Sequence, residues 1–122
     1  MRTLVGIGGS DDSLHALERA LRRAEAAGDE VTVAIVENPD SSLSVETVET
    51  RVYEHLDGVA LDAEVRVLEG DAGSRLVEFA ERGEFDRIVL GGGETSPLGK
   101  INLGSIAEFV LLNANTSVTL IR

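Results

Sequence analysis

Short apolar runs alternate along this chain with segments of helical periodicity, and that alternation constrains the fold more than any other feature. Arg2–Ile7 (RTLVGI), Glu30–Glu37 (EVTVAIVE), Leu61–Leu68 (LDAEVRVL), Phe85–Leu90 and Thr116–Ile121 (TSVTLI) read as strands. Between them lie helical stripes. Leu14, Leu17, Ala20, Leu21 and Ala24 form the first, opened by Ser10 or Asp11 and ended by Gly28. Residues 42–56 carry Leu43, Val45, Val48, Val52 and Leu56. Leu76, Val77, Phe79 and Ala80 follow a Gly70-Asp71 turn, with Gly83 as the stop, and Ile106–Leu112 follows Gly104. The order β-α-β-α-β-α-β-α-β with short connections predicts a parallel sheet covered on both faces through right-handed crossovers.

At 122 residues this is one domain, and 43% apolar residues supply a core. With aromatics at 3%, that core must be Val, Leu, Ile and Ala. Zero cysteines exclude disulfides, thiolate metal sites and cysteine catalysis. No apolar segment is long enough for a membrane span and none reads as a signal peptide, so a cytoplasmic location is expected. Twenty-two acidic residues against 11 basic ones leave a formal charge of -11. Such a surface repels nucleic acid and anionic lipid, and its self-repulsion is relieved by salt. Acid-rich, lysine-poor composition is expected of a salt-loaded cytoplasm.

Parallel sheets bind ligands beyond the carboxyl ends of their strands, where the winding reverses. Two glycine clusters end strands here: Gly8-Gly9-Ser10 after the first and Gly91-Gly92-Gly93 after the fourth. If those strands are neighbours, both clusters meet in one crevice. The second cluster opens a flexible stretch (LGGGETSPLGKINLGS) that reaches a helix at Gly104-Ser105. Bare backbone amides backed by a helix N-terminus suit a phosphate. Gly91, Gly104 and Ser105 would hold it, with Lys100, the single lysine of the chain, as a point charge. The plainer alternative is a tight strand exit, a helix capped by Ser105 and a solvated lysine. His15 and His55 have no partner at metal spacing and read as surface or half-buried helix residues. No Ser/His/Asp arrangement follows from spacing, so a binding role is expected rather than catalysis.

These residues resemble the universal stress protein family across essentially the whole chain. The resemblance rests on VGIGGSDDS, on Glu69-Gly70-Asp71 before the third helix, and on the loop before the last helix. The family's nucleotide loop reads Gly, two residues, Gly, nine residues, Gly-Ser/Thr, and Gly91 and Gly104-Ser105 stand in that register. Its inner glycine is Glu94 here, and the Asp that contacts nucleotide in ATP-binding members is Gly8. Ser96-Pro97-x-Gly99-Lys100 resembles loops of haloarchaeal members. The resemblance implies one domain over residues 1–122 with an open, Rossmann-like sheet (adenine nucleotide alpha hydrolase-like) in order 3-2-1-4-5. It implies a site drawn from Gly8, Gly9, Ser10, Val36, Gly91, Gly92, Ser96, Gly99, Lys100, Gly104 and Ser105. The ligand would be ATP or another adenine nucleotide with Mg²⁺, weakened by Glu94 and Gly8. Some members bind ATP and others do not, so a ligand-free dimer is a second reading.

Val118, Leu120 and Ile121 form a final apolar strand with no helix after it to cover the edge. An open edge invites pairing with another chain, and an antiparallel homodimer is expected there. An enzyme alternative is a PP-loop ATP pyrophosphatase, whose Ser-Gly-Gly-x-Asp-Ser loop is echoed by Gly8-Gly9-Ser10-Asp11. Its leading Ser is Ile7 in this chain, and Asp12 breaks the Asp-Ser pair.

Overall fold

A computed structural model of the chain describes residues 1–39, 41–92, 94–95, 98 and 101–122. For residues 94, 95, 101 and 102 it describes the backbone alone. The elements run β1 (Arg2–Ile7), α1 (Asp11–Ala27), β2 (Glu30–Val36), α2 (Val45–Asp57), β3 (Ala63–Leu68), α3 (Ala72–Arg82) and β4 (Arg87–Gly91). Then come β5 (Glu94–Thr95), β6 (Ile101–Asn102), α4 (Ser105–Asn113) and β7 (Ser117–Ile121). Five parallel strands form one sheet in the order β3-β2-β1-β4-β7. Counted along the chain without the short β5 and β6, this is the expected 3-2-1-4-5.

Two apolar layers sandwich the sheet because successive strand side chains point to opposite faces. Val5 and Ile7 of β1, Val31, Val33 and Ile35 of β2, and Val89 of β4 pack with Leu14, Leu17 and Leu21 of α1 and Val48 and Val52 of α2. On the other face Leu4, Ala34, Val36, Ile88 and Leu90 pack with Leu76 and Ala80 of α3 and Ala107 and Val110 of α4. The central β1 and β2 are buried on both faces, which is why they read as continuous apolar runs. The edge strand β3 alternates half-buried and exposed residues along its first four positions.

The helix starts follow their caps. Ser10 caps α1 by accepting from the Ser13 N–H (3.3 Å), Ser44 caps α2 and Asp71 caps α3. The second helix therefore begins at Val45, three residues after the apolar stripe suggests, because Ser44 supplies the oxygen that closes its first turn. Gly70 adopts φ +103°, so the Glu69-Gly70-Asp71 motif is a left-handed turn feeding a cap. At the end of α3 the left-handed residue is Glu84 (φ 53°). Gly83 owes its glycine to crowding, since a Cβ there would sit 2.4 Å from the Phe85 ring.

The arms of the stretch after Gly92 pair as an antiparallel ladder, Glu94 with Asn102 and Thr95 with Ile101. One expectation is corrected. The residue capping α4 is Gly104, with Ser105 already the first helical position, so Ser105 is not the cap. Among the described residues, no helix is long and apolar enough to cross a membrane.

Candidate functional site

Strands β1 and β4 are hydrogen-bonded neighbours, with Thr3 opposite Arg87 and Val5 opposite Val89. Their crossovers leave on opposite faces, so the winding reverses between them. A hollow of about 360 Å³ opens at that point. Of the predicted site residues, Gly8, Ser10, Val36, Gly91, Gly104 and Ser105 line it. The ends of β1 and β4 thus face one crevice, as the two glycine clusters suggested.

Gly9 and Gly92 are not brought to the hollow. Gly9 turns the chain at φ +89°, and a Cβ there would meet Val48 at 2.7 Å and Ser41 at 2.9 Å. Gly92 donates its N–H to the Ile121 carbonyl (2.8 Å), so that amide serves the β4–β7 ladder and not an anion. Ser96, Gly99 and Lys100 lie outside the described residues, as do Gly93, Pro97 and the side chain of Glu94.

Two helix N-termini converge on the hollow, and their electrostatics differ. The α1 terminus is closed by its own residues. Ser10 Oγ accepts from the Ser13 N–H, Ser13 Oγ donates to the Ser10 carbonyl (2.8 Å), and Asp11 and Asp12 occupy its first turn. At α4 no side-chain cap is made. Its ladder begins with Glu108 N–H to the Gly104 carbonyl at 3.0 Å, which leaves the preceding turn's amides without an intrahelical acceptor, on residues that line the crevice. The partial positive charge of that terminus attracts an anion.

The glycines of the hollow have different physical reasons. Gly6 is required by packing, because a Cβ would lie 2.7 Å from Leu90 and 3.0 Å from Leu76. Gly91 is required by the approach of α1, where a Cβ would lie 2.7 Å from the Asp12 carboxylate and 2.9 Å from the Asp12 main chain. Gly104 has neither reason. Its φ of -66° and ψ of 157° suit any residue, and a Cβ would meet nothing within 4 Å. Among the described residues, nothing fills the space that this missing side chain leaves beside the α4 amides.

Residues that sequence reasoning did not place in the site also line it. Asp12, Ser13 and Asn38 are the polar ones, and Leu76, Leu90, Leu103, Ile106 and Ala107 are apolar. Asn38 had a legible signal, since it lies just beyond the carboxyl end of the strand beside β1. Asp12 had none, because its position depends on how closely α1 approaches Gly91. His15 is exposed on α1, His55 is half-buried on α2, and neither lines the hollow.

An open parallel sheet with a glycine-lined hollow at its winding reversal is the architecture of the Rossmann-like α/β proteins. Within that class, the chain belongs to the universal stress protein family, whose model matches residues 1–122. Over 65 residues it is 40% identical to a universal stress protein of Methanocaldococcus jannaschii, a stretch that is 53% of this chain and 37% of that one. The match thus spans well under two thirds of that relative's length. A solved universal stress protein from Archaeoglobus fulgidus has a TM-score of 0.82 at 24% identity, over 100% of this chain and 98% of that one, a likeness of fold. A universal stress protein solved in complex with cAMP has a TM-score of 0.78 at 25% identity, over 100% of this chain and 96% of that one.

Proposed function

We propose that this chain is a homodimeric binding module for an adenine nucleotide or another phosphate-bearing ligand, acting without turnover in a cytoplasmic stress response. The observation that carries the reading is Gly104. Among the described residues its glycine has no conformational or packing cause, and the space it leaves lies against the uncapped N-terminus of α4. A phosphate seated there would account for both. The hollow's 360 Å³ lies at the small end of ligand sites, which run from about 300 to 1,000 Å³, and suits a mononucleotide. The cAMP complex of a relative supports an adenine ring as the apolar part. Val36, Leu90 and Ile106 offer such a ring an apolar wall.

The Asp12 carboxylate lines the hollow. A carboxylate about 4 Å from a phosphate charge repels it by about 1 kcal/mol in water and about 4 kcal/mol at an effective dielectric of 20. A Mg²⁺ ion between the two reverses that sign, so binding of di- and triphosphates should depend on Mg²⁺ more steeply than binding of monophosphates. Glu94 and Gly8 are what favours the second reading, a dimer that works without ligand. The absence of turnover is supported by the Ser10 and Ser13 hydroxyls, which are held in the α1 cap, and by the distance of both histidines from the hollow.

For the dimer, β7 pairs on one side with β4 and ends the sheet. Val118 and Leu120 pack against the α3–α4 layer and Ile121 against the α1 layer, so the open feature is the strand's backbone edge. The acid-rich surface suits a haloarchaeal-type cytoplasm. One experiment separates the readings: incubation with AMP, cAMP and ATP, with and without Mg²⁺, in molar KCl. Stoichiometric retention supports the binding module, turnover supports a PP-loop-like enzyme, and neither supports the ligand-free dimer. A monomer by sedimentation in the same buffer overturns the dimer.

A further inference from the structure

The opposite end of the sheet carries a second polar feature, independent of the hollow. Thr3 on β1 and Arg87 on β4 are register partners. They share the face of Val5 and Val89, under α1. Thr3 is 3% exposed. Among the described residues, Thr3 Oγ1 and Arg87 Nε are the buried side-chain polar atoms without a hydrogen-bond partner. Both residues line one small cavity of about 20 Å³, walled by Ala20, Ala24, Val89 and Ile121, with Arg23, Asp29 and Thr119 as its other polar lining residues.

Two orphaned groups in one cavity are costly, and a single acceptor placed between them satisfies both. The volume is close to the roughly 10–15 Å³ that one water-sized particle needs, which excludes phosphate or carboxylate ligands. Charge favours an anion there. Arg87 pairs with Asp29 at 3.7 Å, but Asp29 also takes the Met1 ammonium at 3.4 Å. Arg23 and Asp29 line the same cavity, so its lining sets two guanidinium groups against one carboxylate. In a chain of net charge -11 that lining is net positive.

We propose that the cavity holds one monatomic anion, chloride in a salt-containing cell. It accepts from the Thr3 hydroxyl and the Arg87 Nε–H and ties β1 to β4 beneath α1. A water molecule would occupy the same point and offer the same acceptor, and the test distinguishes the two. Thermal unfolding is followed at constant ionic strength while potassium acetate is exchanged for potassium chloride or bromide. For a site of about 0.1 M affinity, raising halide from about 0.1 to about 1 M lifts the wild-type Tm by roughly 4 °C. Thr3→Val keeps the strand's shape and removes the donor. It loses the halide-specific increment while keeping its response to ionic strength, and Arg87→Lys loses the increment as well. Bromide-soaked crystals of the wild type place an anomalous peak within hydrogen-bond reach of Thr3 Oγ1 and Arg87 Nε. Equal halide increments in wild type and both variants, or a particle there without anomalous signal, overturn the proposal. Should Thr3→Val fail to fold, Arg87→Lys and the anomalous measurement decide.

Discussion

Gly91 and Gly104 belong to one loop signature, yet the same substitution should do opposite things at the two positions. At Gly91 an alanine methyl would stand 2.9 Å from the carbonyl carbon and oxygen of Asp12, main-chain atoms in the first turn of α1. Those atoms cannot swing aside as the end of a flexible side chain can, and the Ser10 cap holds their turn in place. Either β4 or α1 must move. Overpacking of this kind costs about 1–3 kcal/mol, and contact with main chain places Gly91→Ala at about 2–3 kcal/mol. With an unfolding entropy of about 2.1 cal/mol/K per residue, a 122-residue domain then loses roughly 8–12 °C in Tm. At Gly104 the methyl meets nothing within 4 Å, and the backbone angles already suit alanine. A stiffer unfolded chain stabilises by about 0.4–1 kcal/mol, and a poorer N-cap offsets about as much, so Tm should stay within about 3 °C. The methyl would nonetheless occupy the space beside the α4 amides. Nucleotide affinity should fall at least about tenfold, or about 1.4 kcal/mol. Scanning calorimetry and titration calorimetry with AMP and cAMP, in one KCl buffer, read both quantities. If Gly104→Ala binds nucleotide as tightly as the wild type, the open side of Gly104 is not ligand space and the reasoning fails. Equal losses of Tm at the two positions would refute the distinction between them.

Other outcomes follow from the same structure. Leu17→Ala empties a fully buried site in the α1 layer and should cost about 2–5 kcal/mol, whereas Leu112→Ala on the exposed face of α4 should stay within about 0.5 kcal/mol; urea unfolding of both checks the contrast. The Asp71 carboxyl is held below its usual range, first by the Ser74 backbone N–H and then by the Ser74 hydroxyl. A carboxyl depressed in the folded state stabilises above its unfolded value of about 3.9 and loses that contribution as pH falls through the folded value. Asp71→Asn retains a capping oxygen without the charge, so the drop in urea midpoint between about pH 6 and pH 3 should be shallower than in the wild type. An identical drop would remove Asp71 from the acid response. With a formal charge of -11, the wild-type Tm should climb from low salt to molar KCl as self-repulsion is screened; a flat or falling profile would contradict it.

Element type and order were legible in the sequence, and the reason is local. Period-2 and period-3.6 patterns, Ser10 and Asp71 before their helices, and Gly28 and Gly70 at left-handed positions act within a few residues of chain. They specify alternating strands and helices, and the handedness of crossovers then leaves few sheets to choose from. That β1 and β4 are neighbours, which brings Gly8 and Gly91 into one crevice, was implied by the family resemblance and not by the element order alone. What glycine means at each position depends on atoms distant along the chain. Gly92 gives its amide to Ile121, Gly91 yields its Cβ space to Asp12, and Gly104 yields its own to nothing among the described residues. Likewise the paired arms after Gly92, Asp12 in the hollow, and Thr3 with Arg87 under α1 arise only when helix and sheet close to van der Waals contact. Patterning decides which face of each element is apolar. The distances at which those faces meet are set by packing, and they decide which backbone and side-chain groups remain for a ligand.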